Sequence, residues 1–92
     1  MKIHLYATLR AIAGEKFVEV DMPPNTTAMD LAELLIEKEP ALKAELFDAD
    51  NLFHSHMKLF INGREVVYLE EKFDTIIKAD DKIDIFPPVG GG

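Results

Sequence analysis

Met57-Lys58-Leu59-Phe60-Ile61-Asn62-Gly63-Arg64-Glu65-Val66-Val67-Tyr68 is the stretch from which the rest of the chain can be read. Asn-Gly between two β-prone runs is a strong two-residue hairpin signal, because a type I′ turn needs φ > 0 at both central residues. It predicts antiparallel strands over Met57–Ile61 and Arg64–Tyr68. Upstream of this hairpin, 48–56 is polar and irregular and reads as a surface loop. Before it, Ala28, Leu31, Ala32, Leu34, Leu35 and Ile36 recur at helical spacing up to Glu39. Thr27 and Asp30 supply a capping box with Asp in place of Glu or Gln. Pro40 ends this helix and opens a second, shorter turn through Phe47, with Leu42 and Leu46 spaced to pack together.

Still further upstream, Ile3, Leu5, Ala7 and Leu9 alternate with Lys2, His4, Tyr6 and Thr8. Period-two alternation marks a half-buried strand, and Val18, Val20 and Met22 repeat it after a turn over 10–15. Residues 2–22 therefore read as a first hairpin, stopped by Pro23-Pro24. Downstream of Tyr68, a connection through Thr75-Ile76-Ile77 and an Asp80-Asp81 turn leads to a last strand, Lys82–Phe86. Two hairpins flanking a helix, followed by one more strand, predict an α+β fold. The sheet is mixed and four- to five-stranded, with one main helix on one face and a parallel contact between the halves. The organisation expected is one domain over 1–86 and an extended, flexible tail over 87–92.

Composition narrows the function. The chain has 92 residues, 48% hydrophobic and 29% charged, with 17 acidic against 10 basic side chains and a net charge of −7. Most of that charge lies in residues 23–57. The acidity argues against a phosphate-backbone binder, so no nucleic-acid partner is expected. No apolar run approaches the ~20 residues that cross a bilayer. No membrane partner is expected, and a cytoplasmic location is. The chain has no cysteine, which excludes disulfides, thiolate nucleophiles and Cys-based metal sites within it. So small a domain needs its regular elements for a core, which places any chemistry at the surface or at an end.

The end is Phe86-Pro87-Pro88-Val89-Gly90-Gly91-Gly92. Prolines pre-set an extended backbone while glycines leave it pliable and narrow. Pro87 to Gly92 can reach ~20 Å at about 3.3–3.6 Å per residue, which suits delivery of the Gly92 carboxylate into another protein's active site. A free carboxylate is a poor electrophile, and no phosphate-cradling loop occurs in this chain to activate it. The activating ATP must then be consumed by a partner, with no cofactor bound here.

Residues 5–14 (LYATLRAIAG), 61–66 (INGREV) and 80–92 (DDKIDIFPPVGGG) resemble the MoaD/ThiS group of ubiquitin-like β-grasp sulfur carriers, in its MoaD branch. The stretch PALKAELFDADNLFHSHMKLFINGREV (40–66) looks most like the archaeal members, which include small archaeal modifier proteins. The family's usual ending is a variable residue plus Gly-Gly, so Gly90 stands at the variable position. The resemblance implies that a ubiquitin-activating-type enzyme adenylates Gly92 and that a sulfur donor converts it to a thiocarboxylate. The tail is then inserted into the large subunit of molybdopterin synthase, which transfers the sulfur to the cyclic pyranopterin precursor of the molybdenum cofactor. On this reading the chain is not an enzyme but the noncatalytic small subunit. The alternative implied is a modifier whose Gly92 forms an isopeptide bond with a target lysine. From a different class, a noncatalytic interaction domain with an incidental glycine tail stays open. Loss of Gly91-Gly92 separates it from both carriers.

Other candidates weigh differently. Tyr6, Phe60 and Phe86 fall on the face of the sheet away from the helix and near the tail, with Arg10 and Lys58 at the rim. They form a candidate partner-docking surface unless the register slips by one residue or a loop covers it. His54 and His56 have ligand-like spacing but no third ligand nearby, so they read as loop histidines, and no metal is expected. Glu37, Glu39, Asp48, Asp50, Glu70 and Glu71 form no acid–base pair and read as surface charge.

Overall fold

A computed structural model of the chain describes residues 1–88; Val89, Gly90, Gly91 and Gly92, which belong to the expected tail, lie outside the described residues. The elements run β1 (Lys2–Leu5), α1 (Thr8–Ala13), β2 (Phe17–Glu19), α2 (Ala28–Lys38), α3 (Lys43–Leu46), β3 (Lys58–Ile61), β4 (Arg64–Glu65) and β5 (Ile83–Phe86). Short 3₁₀ turns at Pro40–Leu42, Val66–Tyr68 and Lys72–Asp74 join them. The five strands form one sheet in the order β2-β1-β5-β3-β4. β1 and β5 pair in parallel, with Ile3 opposite Ile83 and Leu5 opposite Ile85, and the other pairs are antiparallel. A mixed sheet with α2 across one face is the β-grasp arrangement expected from the sequence.

The core fills the space between the sheet and α2. Ile3, Leu5, Leu59, Ile61, Ile83 and Ile85 point in from the strands; Ala28, Leu31, Ala32 and Leu35 point in from α2. Burying each of the larger side chains stabilises the fold by about 1.5–3 kcal/mol. α2 starts where expected: the Asp30 N–H donates to Thr27 Oγ1 at 3.1 Å and the Thr27 N–H to Asp30 Oδ2 at 3.2 Å. Two orphan donors of the first turn are thereby satisfied. Leu42 and Leu46 are both fully buried, so the second helical segment after Pro40 belongs to the core as well.

Three departures from the sequence reading have physical causes. Residues 8–13 are not the end of a strand and a turn but a helix, α1, closed by Gly14 at φ 75° with its N–H on the Arg10 carbonyl. Leu9 is buried there, while Ile12 and Ala13 pack against the core. Their i, i+3, i+4 spacing is helical, whereas Leu9 alone also satisfied the two-residue alternation. β2 is shorter than Lys16–Met22, yet its backbone pairing extends beyond the strand: the Leu5 N–H reaches the Lys16 carbonyl at 2.8 Å and the Val20 N–H the Met1 carbonyl at 2.9 Å. β4 ends at Glu65 rather than Tyr68: the chain turns into a 3₁₀ segment at Val66–Tyr68, closed by the Leu69 N–H on the Val66 carbonyl, with Val66 buried and Tyr68 exposed. Asn62 and Gly63 take φ 53° and 83°, the left-handed pair that the hairpin reading requires.

Candidate functional site: the outer sheet face and the tail root

The pleat directs alternate residues of every strand away from α2. Across the sheet, Phe17, His4, Asp84, Phe60 and Glu65 are successive cross-strand neighbours from β2 to β4. One rung towards the tail, Lys58 lies opposite Phe86. The Tyr6 ring stacks on Phe86 at 4.1 Å with an interplanar angle of 12°, and the Phe60 ring meets Phe86 edge-on at 5.4 Å. All three rings are half-buried. The structure therefore brings the three sequence-predicted aromatics together on the uncovered face, in the register the alternation gave.

Their polar rim is also in place. The Arg10 guanidinium carbon sits 4.9 Å from the Tyr6 ring centroid, and its Nε donates to the Leu5 carbonyl at 2.7 Å. α1 is what positions it: a continued strand at 8–13 would have carried Arg10 away from this ring. At the other end, Lys58 Nζ pairs with Glu65 Oε2 at 3.7 Å. An apolar groove of about 340 Å³ lies between them, lined by Lys58, Phe60, Glu65, Phe86, Pro87 and Pro88. Pro87 is buried and Pro88 exposed, so the chain leaves β5 anchored at the groove's edge. Gly90, Gly91 and Gly92 fall outside the described residues, as does Val89.

Asp84 had no role in the sequence reading, and it lies at the centre of this face. It is 6% exposed, and the Tyr6 hydroxyl donates to its Oδ1 at 2.6 Å. His4 Nδ1 lies 4.0 Å from the same oxygen. The hydrogen bond to Asp84, followed by burial and the carboxylate's charge, pushes the Tyr6 phenol above 10.0, with Arg10 opposing. One signal was legible: Ile83-Asp84-Ile85 places a lone carboxylate mid-strand between two core residues.

The remaining candidates are not gathered here. The His54 and His56 rings lie 4.5 Å apart in their loop, and no group of three or more potential metal ligands occurs among the described residues. Asp48 is structural: its Oδ1 accepts the Asp50 and Leu52 N–H groups at 2.8 and 3.1 Å. No helix of the described residues is long and apolar enough to cross a membrane.

The profile of the ThiS family matches residues 3–92. The chain belongs to the ThiS family. Among characterised members of related sequence, small archaeal modifier protein 1 of Haloferax volcanii is 32% identical over 92 residues, covering 100% of both chains. The molybdopterin synthase sulfur carrier subunit of Drosophila yakuba is 32% identical over 87 residues, covering 95% of this chain and 84% of that one. The crystal structure of SAMP1 from H. volcanii superposes with a TM-score of 0.89 at 30% identity, covering 100% of this chain and 98% of that one. This ThiS-family chain is thus a ubiquitin-like β-grasp protein of the carrier and modifier kind.

Proposed function

We propose that the chain is a sulfur carrier whose Gly92 carboxylate is adenylated by a ubiquitin-activating-type partner and converted to a thiocarboxylate for molybdopterin synthesis. The observation that carries this reading is the exit from β5. A central strand ends at Phe86, Pro87 is anchored against the groove, and the sequence then runs directly into Val89-Gly90-Gly91-Gly92. In the first step a Gly92 carboxylate oxygen attacks ATP, forming an acyl-adenylate and releasing pyrophosphate. In the second, sulfur at the sulfide level attacks the acyl carbon; the C–S bond forms as the bond to AMP breaks, and AMP leaves with the electron pair. Both steps use the partner's site, while this chain supplies the acyl group and the docking face of Tyr6, Phe60 and Phe86 flanked by Arg10 and Lys58. The large subunit of molybdopterin synthase then takes in the tail and transfers its sulfur to the cyclic pyranopterin precursor of the molybdenum cofactor.

A second reading is favoured by the full-length likeness to small archaeal modifier protein 1. Here the same adenylate passes to a target lysine as an isopeptide bond. Intact mass spectrometry after incubation with the activating enzyme of the same organism, ATP and sulfide separates them. Exchange of one terminal oxygen for sulfur supports the carrier. Lysine-linked adducts alone support the modifier. An unchanged mass with both Gly91 and Gly92 present overturns both and leaves an interaction domain.

A further inference from the structure

A carboxylate buried at the centre of an aromatic docking face needs a compensating charge, since covering it further without one is costly. Lys82, two residues before Asp84 and just ahead of β5, is exposed to solvent, and three other cations of this face are engaged elsewhere. Lys58 of β3 is paired with Glu65 of β4 at 3.7 Å, Lys2 of β1 lies 4.7 Å from the Phe17 ring centroid on β2, and Arg10 of α1 packs on the Tyr6 ring. Tyr6 can give Asp84 a hydrogen bond but no positive charge. His4 can give one. Its Nδ1 is buried, has no hydrogen-bond partner among the described residues, and lies 4.0 Å from Asp84 Oδ1. The Phe17 ring packs edge-on against the imidazole at 5.9 Å from the other side.

We propose that His4 is the proton-accepting half of a charge pair with Asp84, and that a partner covering the outer sheet face draws a proton onto His4. Histidine titrates between pH 5 and 8 when unperturbed, and the imidazolium donates from both nitrogens. Protonation turns the 4.0 Å approach into a charge-assisted hydrogen bond and neutralises the carboxylate beneath Tyr6 and Phe60. Docking then takes up a proton, so affinity rises as pH falls, by at most about tenfold per pH unit for one coupled proton. This inference rests on the outer face being the docking surface.

The test has two arms. In the free chain, nuclear magnetic resonance should show the His4 imidazole and the Tyr6 ring signals moving together with pH, and His4→Gln should hold the Tyr6 signals still. Independent titration overturns the pairing. In the second arm, calorimetry with the same organism's ubiquitin-activating-type enzyme, in buffers of different ionisation heat, counts protons bound on docking. Uptake approaching one proton near pH 7, absent in His4→Gln, is the expected result, with affinity several-fold higher at pH 6 than at pH 7.5. Binding that Phe60→Asp abolishes but that takes up no proton overturns the His4 inference and leaves the docking face standing. Binding indifferent to Phe60→Asp overturns the docking face and, with it, the proposed proton coupling. Asp84→Asn should also remove the uptake, and His4→Gln carries the test alone should Asp84→Asn fail to fold.

Discussion

Leu59 and Phe60 are neighbours in β3, and they face opposite sides of the sheet. Leu59 is 1% exposed and packed with Leu5, Ile83 and Ile85 beneath α2; Phe60 is half-buried among Phe86, Asp84 and Glu65 with no helix over it. The inner face is uniformly aliphatic, and its residues matter through volume and complementarity. The outer face mixes aromatic rings with one buried carboxylate, a histidine and flanking cations, a composition that packing alone does not call for. Leu59→Ala is therefore expected to cost about 2–5 kcal/mol in urea denaturation, the cost of a buried leucine plus its cavity. Phe60→Ala should cost only about 1 kcal/mol in stability, mainly its edge-on contact with Phe86. In binding to the activating enzyme the order should reverse, with Phe60→Ala weakening affinity by about 30-fold or more, as for a central aromatic hot spot. Equal stability losses at both positions would erase the distinction between the faces.

The two ends of the β3–β5 ladder sharpen it further. At the tail end the ladder closes on Lys58, Phe86 and Pro87, through apolar contact. At the other end it closes on Asn62, through hydrogen bonds. Asn62 Nδ2 donates to Asp81 Oδ1 at 2.8 Å, the Lys82 N–H donates to Asn62 Oδ1 at 2.8 Å, and the Asn62 N–H reaches the Lys82 carbonyl at 2.8 Å. Asn62→Ala loses both side-chain bonds and places alanine at φ 53°, so about 1–2 kcal/mol of stability should be lost. Partner affinity should not move, since Asn62 does not line the groove formed by Phe60, Phe86 and Pro87. A shift in affinity equal to that of Phe60→Ala would make the whole β3–β5 ladder, not its outer face, the docking determinant.

How far these regions could be read from sequence follows the range of the interactions that fix them. Local signals were sufficient for the Thr27–Asp30 capping box, the Asn62-Gly63 turn and the alternation that set Tyr6, Phe60 and Phe86 on one face. Short-range ambiguity defeated the reading at residues 8–13, where Leu9 fits both a strand and a helix until Ile12 and Ala13 are counted with it. At Val66–Tyr68 the β-prone composition was overridden by a 3₁₀ turn that keeps Val66 buried and leaves Tyr68 exposed. The Tyr6–Asp84 bond spans 78 positions and depends on the parallel register of β1 and β5. No local pattern reports a distance of that kind, so Asp84 had no role in the sequence reading.

Tyr6 gives the smallest expected effect and the most direct check on that long-range bond. Its phenol is held above 10.0 first by the hydrogen bond to Asp84, and Arg10 pulls the other way. A raised folded-state value means the neutral phenol is favoured by folding. Its contribution to stability is fully present below the unfolded-chain value and is lost as pH rises through the folded one. The window is therefore alkaline; near neutrality the contribution is fully present and does not vary with pH. In a Tyr68→Phe background, which leaves a single phenol, ultraviolet titration should place Tyr6 above 10.0. Adding Asp84→Asn should lower that midpoint. Adding Arg10→Ala should raise it, because the guanidinium that now favours the phenolate is gone. Were both substitutions to move the midpoint in the same direction, the phenol would be responding to a change in burial, and the outer face would be held by packing alone, like the inner one.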